Sequence, residues 1–458
     1  MKPIAIDLFC GAGGFSEGIL QAGFHIVYSS DINSDVEKTY TNRHEQLGYH
    51  QGINTFFQRA DIRDLPSADI LNAINNLQIF KDSPLSQIDA IFGGPPCQGF
   101  SRAGLRAKDD PRNMLFKEYL RIINDIRPRY VVMENVEGFT DTRLDGFKGV
   151  LGDEYPDNSL VPEILTEEFS KIGYNTLKPR ILDASDYGVP QRRRRVIFLA
   201  YLDGQIPPSY PTPTTPNEDD KVSVIEAIGD LIIDERIREN KNPIETSYQR
   251  FSREGRTPNI HGLPIPFTEH SEQFNHDLAR HSKAVQERFS LFNEGDTTSS
   301  IINRLLIEPI NLEEYPNLLN ECTSKLEDIY DRETIIQHFL TSSANSKMFE
   351  ALLTRKNNRY RYSSNRVAPT VVTLPDDYLV PFENRIPTVR EMARLQSFDD
   401  SFQFLGKRTT GGQRRKVEVP QYSQVGNAVP PLLAKAIALE IYKAIKISEK
   451  RLTTSFSV

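Results

Sequence analysis

One cysteine in this chain is placed like a nucleophile. In Gly93-Gly94-Pro95-Pro96-Cys97-Gln98-Gly99-Phe100-Ser101 the preceding apolar run Ile88, Ala90, Ile91 and Phe92 predicts a buried strand. Two glycines and two prolines then end it in a stiff turn, because proline fixes φ and has no N–H to give to a sheet. A lone cysteine is otherwise a small buried apolar residue. At an exposed strand end its thiol ionises far more readily than a serine hydroxyl and is intrinsically nucleophilic. A second apolar run, Tyr130-Val131-Val132-Met133, presents Glu134-Asn135-Val136 at its end. In a doubly wound sheet that carboxyl and the thiol face one crevice. Gln191, Arg193 and Arg195 follow Tyr187-Gly188-Val189-Pro190, and alternation along a strand predicts that the three project together toward the same crevice.

A second group of residues reads as a nucleotide site. Ile4-Ala5-Ile6-Asp7-Leu8-Phe9 predicts a buried parallel strand, and Cys10-Gly11-Ala12-Gly13-Gly14 a glycine-rich turn into a helix carrying Ile19, Leu20 and Ala22. Such a turn lets a ligand approach the main chain closely. A dinucleotide fingerprint needs a third glycine at position 16, where this chain has Ser16, which disfavours NAD. The strand from His25 to Ser30 ends in Asp31, where an α/β nucleotide site places its acceptor for ribose hydroxyls. Asp61 is placed to accept from an adenine amino group while Ile62 packs on the ring.

The Pro-Cys turn resembles the catalytic motif of the DNA cytosine-5 methyltransferases, and motifs similar to that family's return in its order from Asp7 to Pro431. The stretch from about 206 to about 365 is the part the resemblance covers least. It implies an α/β fold: a doubly wound, S-adenosylmethionine-dependent, Rossmann-like sheet with a second, smaller target-recognition domain. It implies a pocket for S-adenosylmethionine lined by Phe9, Gly11, Ala12, Gly13, Gly14, Phe15, Asp31, Ile32, Asp61, Ile62, Pro96, Leu115, Asn427 and Ala428. Cys97 and Glu134 are then catalytic. The family's Gln-x-Arg-x-Arg pattern falls on Gln191, Arg193 and Arg195, which makes Arg193 and Arg195 catalytic and leaves Arg192 and Arg194 to solvent or phosphate. Cytosine C5 is a poor nucleophile while the ring is aromatic, and addition of a thiolate at C6 activates it. Glu134 can donate to N3 and accept from the exocyclic amine, and Arg195 can bind O2.

With 458 residues the chain exceeds one compact domain. Its expected division is a catalytic domain over 1–205 completed by 419–458, a recognition domain over 206–384, and a hinge or scaffold segment over 385–418. The first boundary rests on Pro207, Pro208, Pro211, Pro213 and Pro216, which exclude continuous helix or inner strand. Helices are expected from Val222 to Ile233 and from Leu278 to Phe292, and a peripheral, acidic, helical element from Glu313 to Glu350. Arg390 and Glu391 read as an orienting ion pair. The three cysteines have neither metal-ligand spacing nor an even count, so no metal site and no disulfide framework is expected. His276 and His281 lack ligands at metal spacing.

Double-stranded DNA is the expected partner, with a cognate restriction endonuclease or other defence system as companion. The net charge of −7 places DNA contact in local basic stretches and not in the overall balance. Ser101, Arg102 and Arg106, in a polar stretch after Cys97, are candidate phosphate contacts, and Gln191 is a further DNA-binding candidate. In Arg355-Lys356-Asn357-Asn358-Arg359-Tyr360-Arg361-Tyr362, basic, amide and aromatic side chains alternate, which makes Arg355, Arg359 and Arg361 candidates for reading bases. No apolar run is long enough to span a membrane, and a cytoplasmic monomer is expected. Two alternatives are an RNA (tRNA) cytosine-5 methyltransferase and a catalytically inactive DNA-binding regulator. Against the first, RNA-directed relatives have a shorter central segment and a Cys-Phe-Thr signature, neither of which this chain has.

Overall fold

The computed structural model describes residues 2–96, 114–267, 273–356, 358–410, 414 and 417–455, the last four without side chains. Cys97, Ser101, Arg102 and Arg106 therefore lie outside the described residues.

Continuous apolar runs make the central strands, as expected where both faces of a parallel sheet are covered. β1 (Ile4–Leu8) is buried throughout and lies between β2 (His25–Asp31) and β4 (Ala90–Gly93), parallel to both. β3 (Phe56–Arg59) extends the sheet beyond β2, and β5 (Tyr130–Val136) beyond β4, also in parallel. A two-residue ladder, β6 (Arg143–Leu144) with β7 (Ser159–Leu160), stands apart. β8 (Tyr174–Thr176) and β9 (Arg180–Asp183) both pair antiparallel with β10 (Arg194–Leu202), which runs antiparallel to β5. The order β3-β2-β1-β4-β5-β10-β8 reverses between β1 and β4. In an open α/β sheet that reversal opens a ligand crevice at the carboxyl ends of the strands.

Alternation along the strands sends side chains to two cores. On one face Ile6, Ile91 and Val131 pack with α3 (Ser67–Asn75), α4 (Leu115–Ile126) and α5 (Val161–Lys171). On the other Ala5, Phe92 and Val132 pack with α1 (Gly14–Gln21) and the carboxyl-terminal helix that follows Pro430. α2 (Ser34–Gln46) is capped by the Asn33 side chain.

The segment from 206 to 384 divides among several cores. Tyr210, Ile260 and Ile265 pack against the central sheet, and the Tyr210 hydroxyl donates to the Ile197 carbonyl at 2.8 Å. α6 (Val224–Ile228) and α8 (Ser247–Glu254), with α7 (Glu235–Lys241) between them, contribute Val224, Ala227 and Tyr248 to a third core. The helix expected over 222–233 passes into a 3-10 turn at Gly229. α9 (Lys283–Ser290) starts at its Ser282 cap, later than the pattern over 278–292 predicts. With α10 (Thr298–Leu305), α11 (Pro316–Leu326), α12 (Arg332–Leu340) and α13 (Ser346–Leu353), it encloses a separate apolar core that includes Ile301, Leu319, Phe339 and Leu352. The acidic stretch over 313–350 is therefore the body of a helical module. β11 (Tyr360–Arg361) and β12 (Tyr378–Leu379) pair in parallel beside it.

α14 (Val389–Leu395) and α15 (Gln421–Asn427) join the third core. Arg390 and Glu391 do not pair. Neighbours on a helix point about 100° apart, and Glu391 takes Arg385 at 2.7 Å while Arg390 donates to the Asp399 carbonyl at 2.9 Å. α16 (Pro431–Ser455) crosses α1 closely enough that a Cβ on Gly18 would run into Ala434, and one on Gly14 would run into the Val429 carbonyl just before α16. The two ends of the chain are thereby packed into one layer.

Candidate active site

Asp31, at the end of β2, anchors the glycine turn. One carboxylate oxygen accepts the Gly11 N–H at 3.1 Å and the other the Asn33 N–H at 2.9 Å. Each oxygen keeps a further lone pair, the capacity a ribose diol needs. Burial raises the Asp31 pKa, and these main-chain N–H groups act against that rise. Phe9 and Gly11 both adopt positive φ, and a Cβ on Gly11 would meet nothing within 4 Å, so the turn faces open space. Ile32 is 62 % exposed, a large apolar surface beside a polar anchor. This acceptor and apolar set fits a nucleoside-bearing cofactor. Leu115 is half-buried at the start of α4, Pro96 and Asn427 are exposed, and Ala428 is buried against α15.

Other cofactor expectations are placed differently. The Phe15 ring packs edge-on against Phe92 in the core, and Ala12 and Gly14 are buried beneath the turn. Ile62 is 5 % exposed and packs in the core, so its side chain offers a base little surface. Arg63 chelates the Asp61 carboxylate, with Nε at 3.0 Å from Oδ1, and this lowers the Asp61 pKa.

The described side chains expected to be catalytic gather near the ends of β4 and β5. Arg195 Nε lies 2.8 Å from Glu134 Oε1, and both side chains are nearly buried. The other Glu134 oxygen faces Gly94, where an added Cβ would lie 3.2 Å away. Asn135 Nδ2 donates to the Pro95 carbonyl at 3.1 Å. Asn135 thus ties the turn that leads to Cys97 to the strand that carries Glu134. Its position beside Glu134 at a strand end is the one signal in the sequence that marks it. Gly93 has a packing reason of its own, since a Cβ there would lie 2.6 Å from the Tyr119 ring.

Arg193 is buried and braces the site, donating to the carbonyls of Val371 at 3.3 Å and Asn427 at 3.4 Å. Burial, then Arg195, push its pKa down, and Glu134 acts in the opposite sense. Arg192 and Arg194 are exposed and pair with Glu218 at 2.5 Å and Glu137 at 3.2 Å.

DNA contact does not fit Gln191, which is fully buried. Its Nε2 donates to the Leu395 carbonyl and to Gln396 Oε1, and its Oε1 accepts from Val371 N at 2.9 Å. Arg359 and Arg361 are corrected for the same reason. Arg361 is 3 % exposed and donates to the carbonyls of Phe289, Val380, Pro381 and Glu383. Arg359 is 7 % exposed, with its guanidinium over the Phe289 ring. Arg355 alone of the three is exposed, paired with Glu350.

The model of the C-5 cytosine-specific DNA methylase family matches residues 4–443. The chain is 31 % identical to the type II methyltransferase M.DdeI of Desulfomicrobium norvegicum over 444 residues, covering 95 % of this chain and 88 % of that protein. It is also 31 % identical to the type II methyltransferase M1.HphI of Haemophilus parahaemolyticus, covering 96 % of this chain and 86 % of that one. A crystal structure of a candidate DNA modification methyltransferase encoded within a prophage (E. coli) shares the fold, with a TM-score of 0.61 at 21 % identity over 97 % of this chain and 99 % of that one. The chain therefore belongs to the C-5 cytosine-specific DNA methylase family and is a DNA cytosine-5 methyltransferase with S-adenosylmethionine as its methyl donor.

Proposed function

We propose that the chain methylates C5 of a cytosine flipped out of a specific double-stranded DNA sequence, through a covalent bond between Cys97 Sγ and C6. The observation that carries this reading is the arrangement of Glu134 and Asn135, one against Gly94 and the other on the Pro95 carbonyl. These contacts tie the Pro-Cys turn to the acid. S-adenosylmethionine supplies an electrophilic methyl group when bound.

The chain's own groups do the rest. No side chain reaches C6 inside a stacked duplex, so the base must leave it at a cost of roughly a few kcal/mol. The Cys97 thiolate adds to C6. Glu134 donates a proton toward N3 as negative charge develops on the ring, and accepts from the exocyclic amine. Arg195, held on Glu134, offers its remaining N–H groups to O2. After methyl transfer, loss of the C5 proton and departure of the thiolate restore aromaticity.

The type II names of the relatives support a role in restriction-modification, protecting sites from a cognate endonuclease. Among the described residues no helix is long and apolar enough to cross a membrane. Transfer of tritium from labelled cofactor to duplex DNA, compared with tRNA, tests the substrate class. Label in DNA alone is expected, and label in tRNA alone would overturn it.

A further inference from the structure

Two helices of the module over 283–353 leave a groove of about 490 Å³ between them. α11 lines it with Lys325 and Leu326, followed by Ile329, and α13 with Lys347, Glu350 and Ala351, followed by Thr354 and Arg355. Leu326 and Ala351 are buried, and Ile329 is 49 % exposed. The charged lining is three cations, Lys325, Lys347 and Arg355, against one carboxylate, Glu350. Arg355 pairs with Glu350, and Lys325 with Glu321, which also holds Arg288 at 2.7 Å. Lys347 is exposed and has no acidic partner among the described residues. In a chain of net charge −7, positive charge gathered in one groove marks an anionic partner.

Thr354 adds a second observation. Its φ of 64° and ψ of 177° lie in a region that glycine alone occupies easily, and its Oγ1 is buried without a partner among the described residues. Neither cost is offset locally, and strain of this kind gathers at ligand clamps. The groove is also joined to the edge of the active site. Lys356, next to Arg355, pairs with Asp377 at 3.3 Å, and the Tyr378 hydroxyl donates to the Thr370 carbonyl at 2.7 Å. Thr370 Oγ1 in turn donates to the carbonyl of Arg192, beside Arg193, at 2.7 Å. The anion that this chain's activity brings to that edge is DNA.

We infer that this groove holds a phosphodiester strand of the substrate DNA outside the sequence being read, with Lys325 and Lys347 on its phosphate oxygens. Such contacts release counterions, so losing one weakens binding to every sequence alike and flattens its salt dependence. Fluorescence anisotropy of the full chain on labelled duplex DNA cut from a plasmid that it methylates, at several salt concentrations, tests this. The variants are Lys325→Gln, Lys347→Gln and the two combined, with Arg355 left in place. Each single change should weaken binding several-fold and reduce the slope of log Kd against log salt by about one, and the pair by about two. Both lysines are exposed, so melting temperatures should match the parent. Bisulfite mapping of the plasmid should return the parent set of methylated sites. A parent-like Kd and slope in the double variant would overturn the inference. An altered set of methylated sites would overturn it too, by assigning the groove to base reading. The inference rests on duplex DNA as the substrate: a parent chain that bound tRNA and not duplex DNA would remove that reading, whereas unchanged variants remove the groove alone. Should the double variant not fold, Lys347→Gln decides, with an unchanged slope counting against the inference.

Discussion

Arg195 Nε sits 2.8 Å from the Glu134 carboxylate across the antiparallel pair of β10 and β5. The pair places a guanidinium and a carboxyl group side by side where the turn after β4 begins. Either group without the other would be a nearly buried, unpaired charge, which is costly.

Glu134→Gln keeps the shape of the side chain but cannot relay a proton. Turnover should fall by about 10²- to 10⁴-fold, the usual worth of general acid–base catalysis. The calorimetric Kd for S-adenosylhomocysteine should stay as in the parent. Rapid-quench methyl transfer checks the first, and unimpaired transfer would remove Glu134 from the chemistry.

Gln191→Ala should act on stability. Its amide bonds Leu395, Gln396 and Val371 in a fully buried setting. Leaving those partners unsatisfied costs roughly 2–4 kcal/mol. Urea unfolding should show the loss, with the set of methylated DNA sites unchanged.

Arg355 and Arg361 should separate recognition from architecture. Arg361→Ala removes donors from three buried carbonyls and one part-buried carbonyl and should lower the melting temperature. Arg355→Ala leaves the fold intact because the residue is exposed. It should relax the pattern of methylated cytosines in a plasmid mapped by bisulfite sequencing, a base contact being worth about 1–3 kcal/mol of discrimination. A parent pattern with parent DNA affinity would exclude Arg355 from the interface.

Much of this was legible in the residues. β1, β2, β4 and β5 are built on apolar runs, and the candidate site residues Phe9, Asp31, Gly94 and Glu134 lie at or near their carboxyl ends. The strand holding Arg195 was legible too, but it begins only at Arg194, so alternation does not govern Gln191 and Arg193. Those two turn into irregular chain around Val371, a contact 180 residues away for Gln191 that no local pattern carries. Arg361 misled for a related reason. Its run reads as basic and aromatic, yet the end of α9 and the irregular chain over 380–383 supply enough carbonyls to bury a guanidinium. The helical module over 283–353 announced its helix starts through Ser282, Thr297, Asp331 and Asn345, but its shared core is a tertiary fact.

Asp7 should give stability a pH dependence. Burial pushes its carboxyl up to about 7 from 3.8, while its bond from Ser16 Oγ at 2.5 Å opposes the rise. A raised carboxyl keeps its proton in the folded state where the unfolded chain has lost it. Its contribution is therefore full below pH about 4 and is lost as pH rises through about 7. Asp7→Asn removes the titration, so its stability relative to the parent should climb between pH 4 and 7 by roughly 3–5 kcal/mol. Urea unfolding across that range measures the difference. His44, pushed down to about 3 by burial, cancels because both proteins contain it. A flat difference would mean that Asp7 is ionised in the folded protein.

Covalent catalysis by Cys97 is tested most directly with duplex DNA carrying 5-fluorocytosine at the target position, incubated with S-adenosylmethionine. Fluorine cannot leave C5 as a proton does, so the thiolate cannot be expelled after methyl transfer. A denaturation-resistant protein–DNA adduct should form, peptide mapping should place it on Cys97, and Cys97→Ser should abolish it while still binding S-adenosylhomocysteine. Turnover of normal DNA without any trapped adduct, or an adduct that persists in Cys97→Ser, would contradict the proposed mechanism.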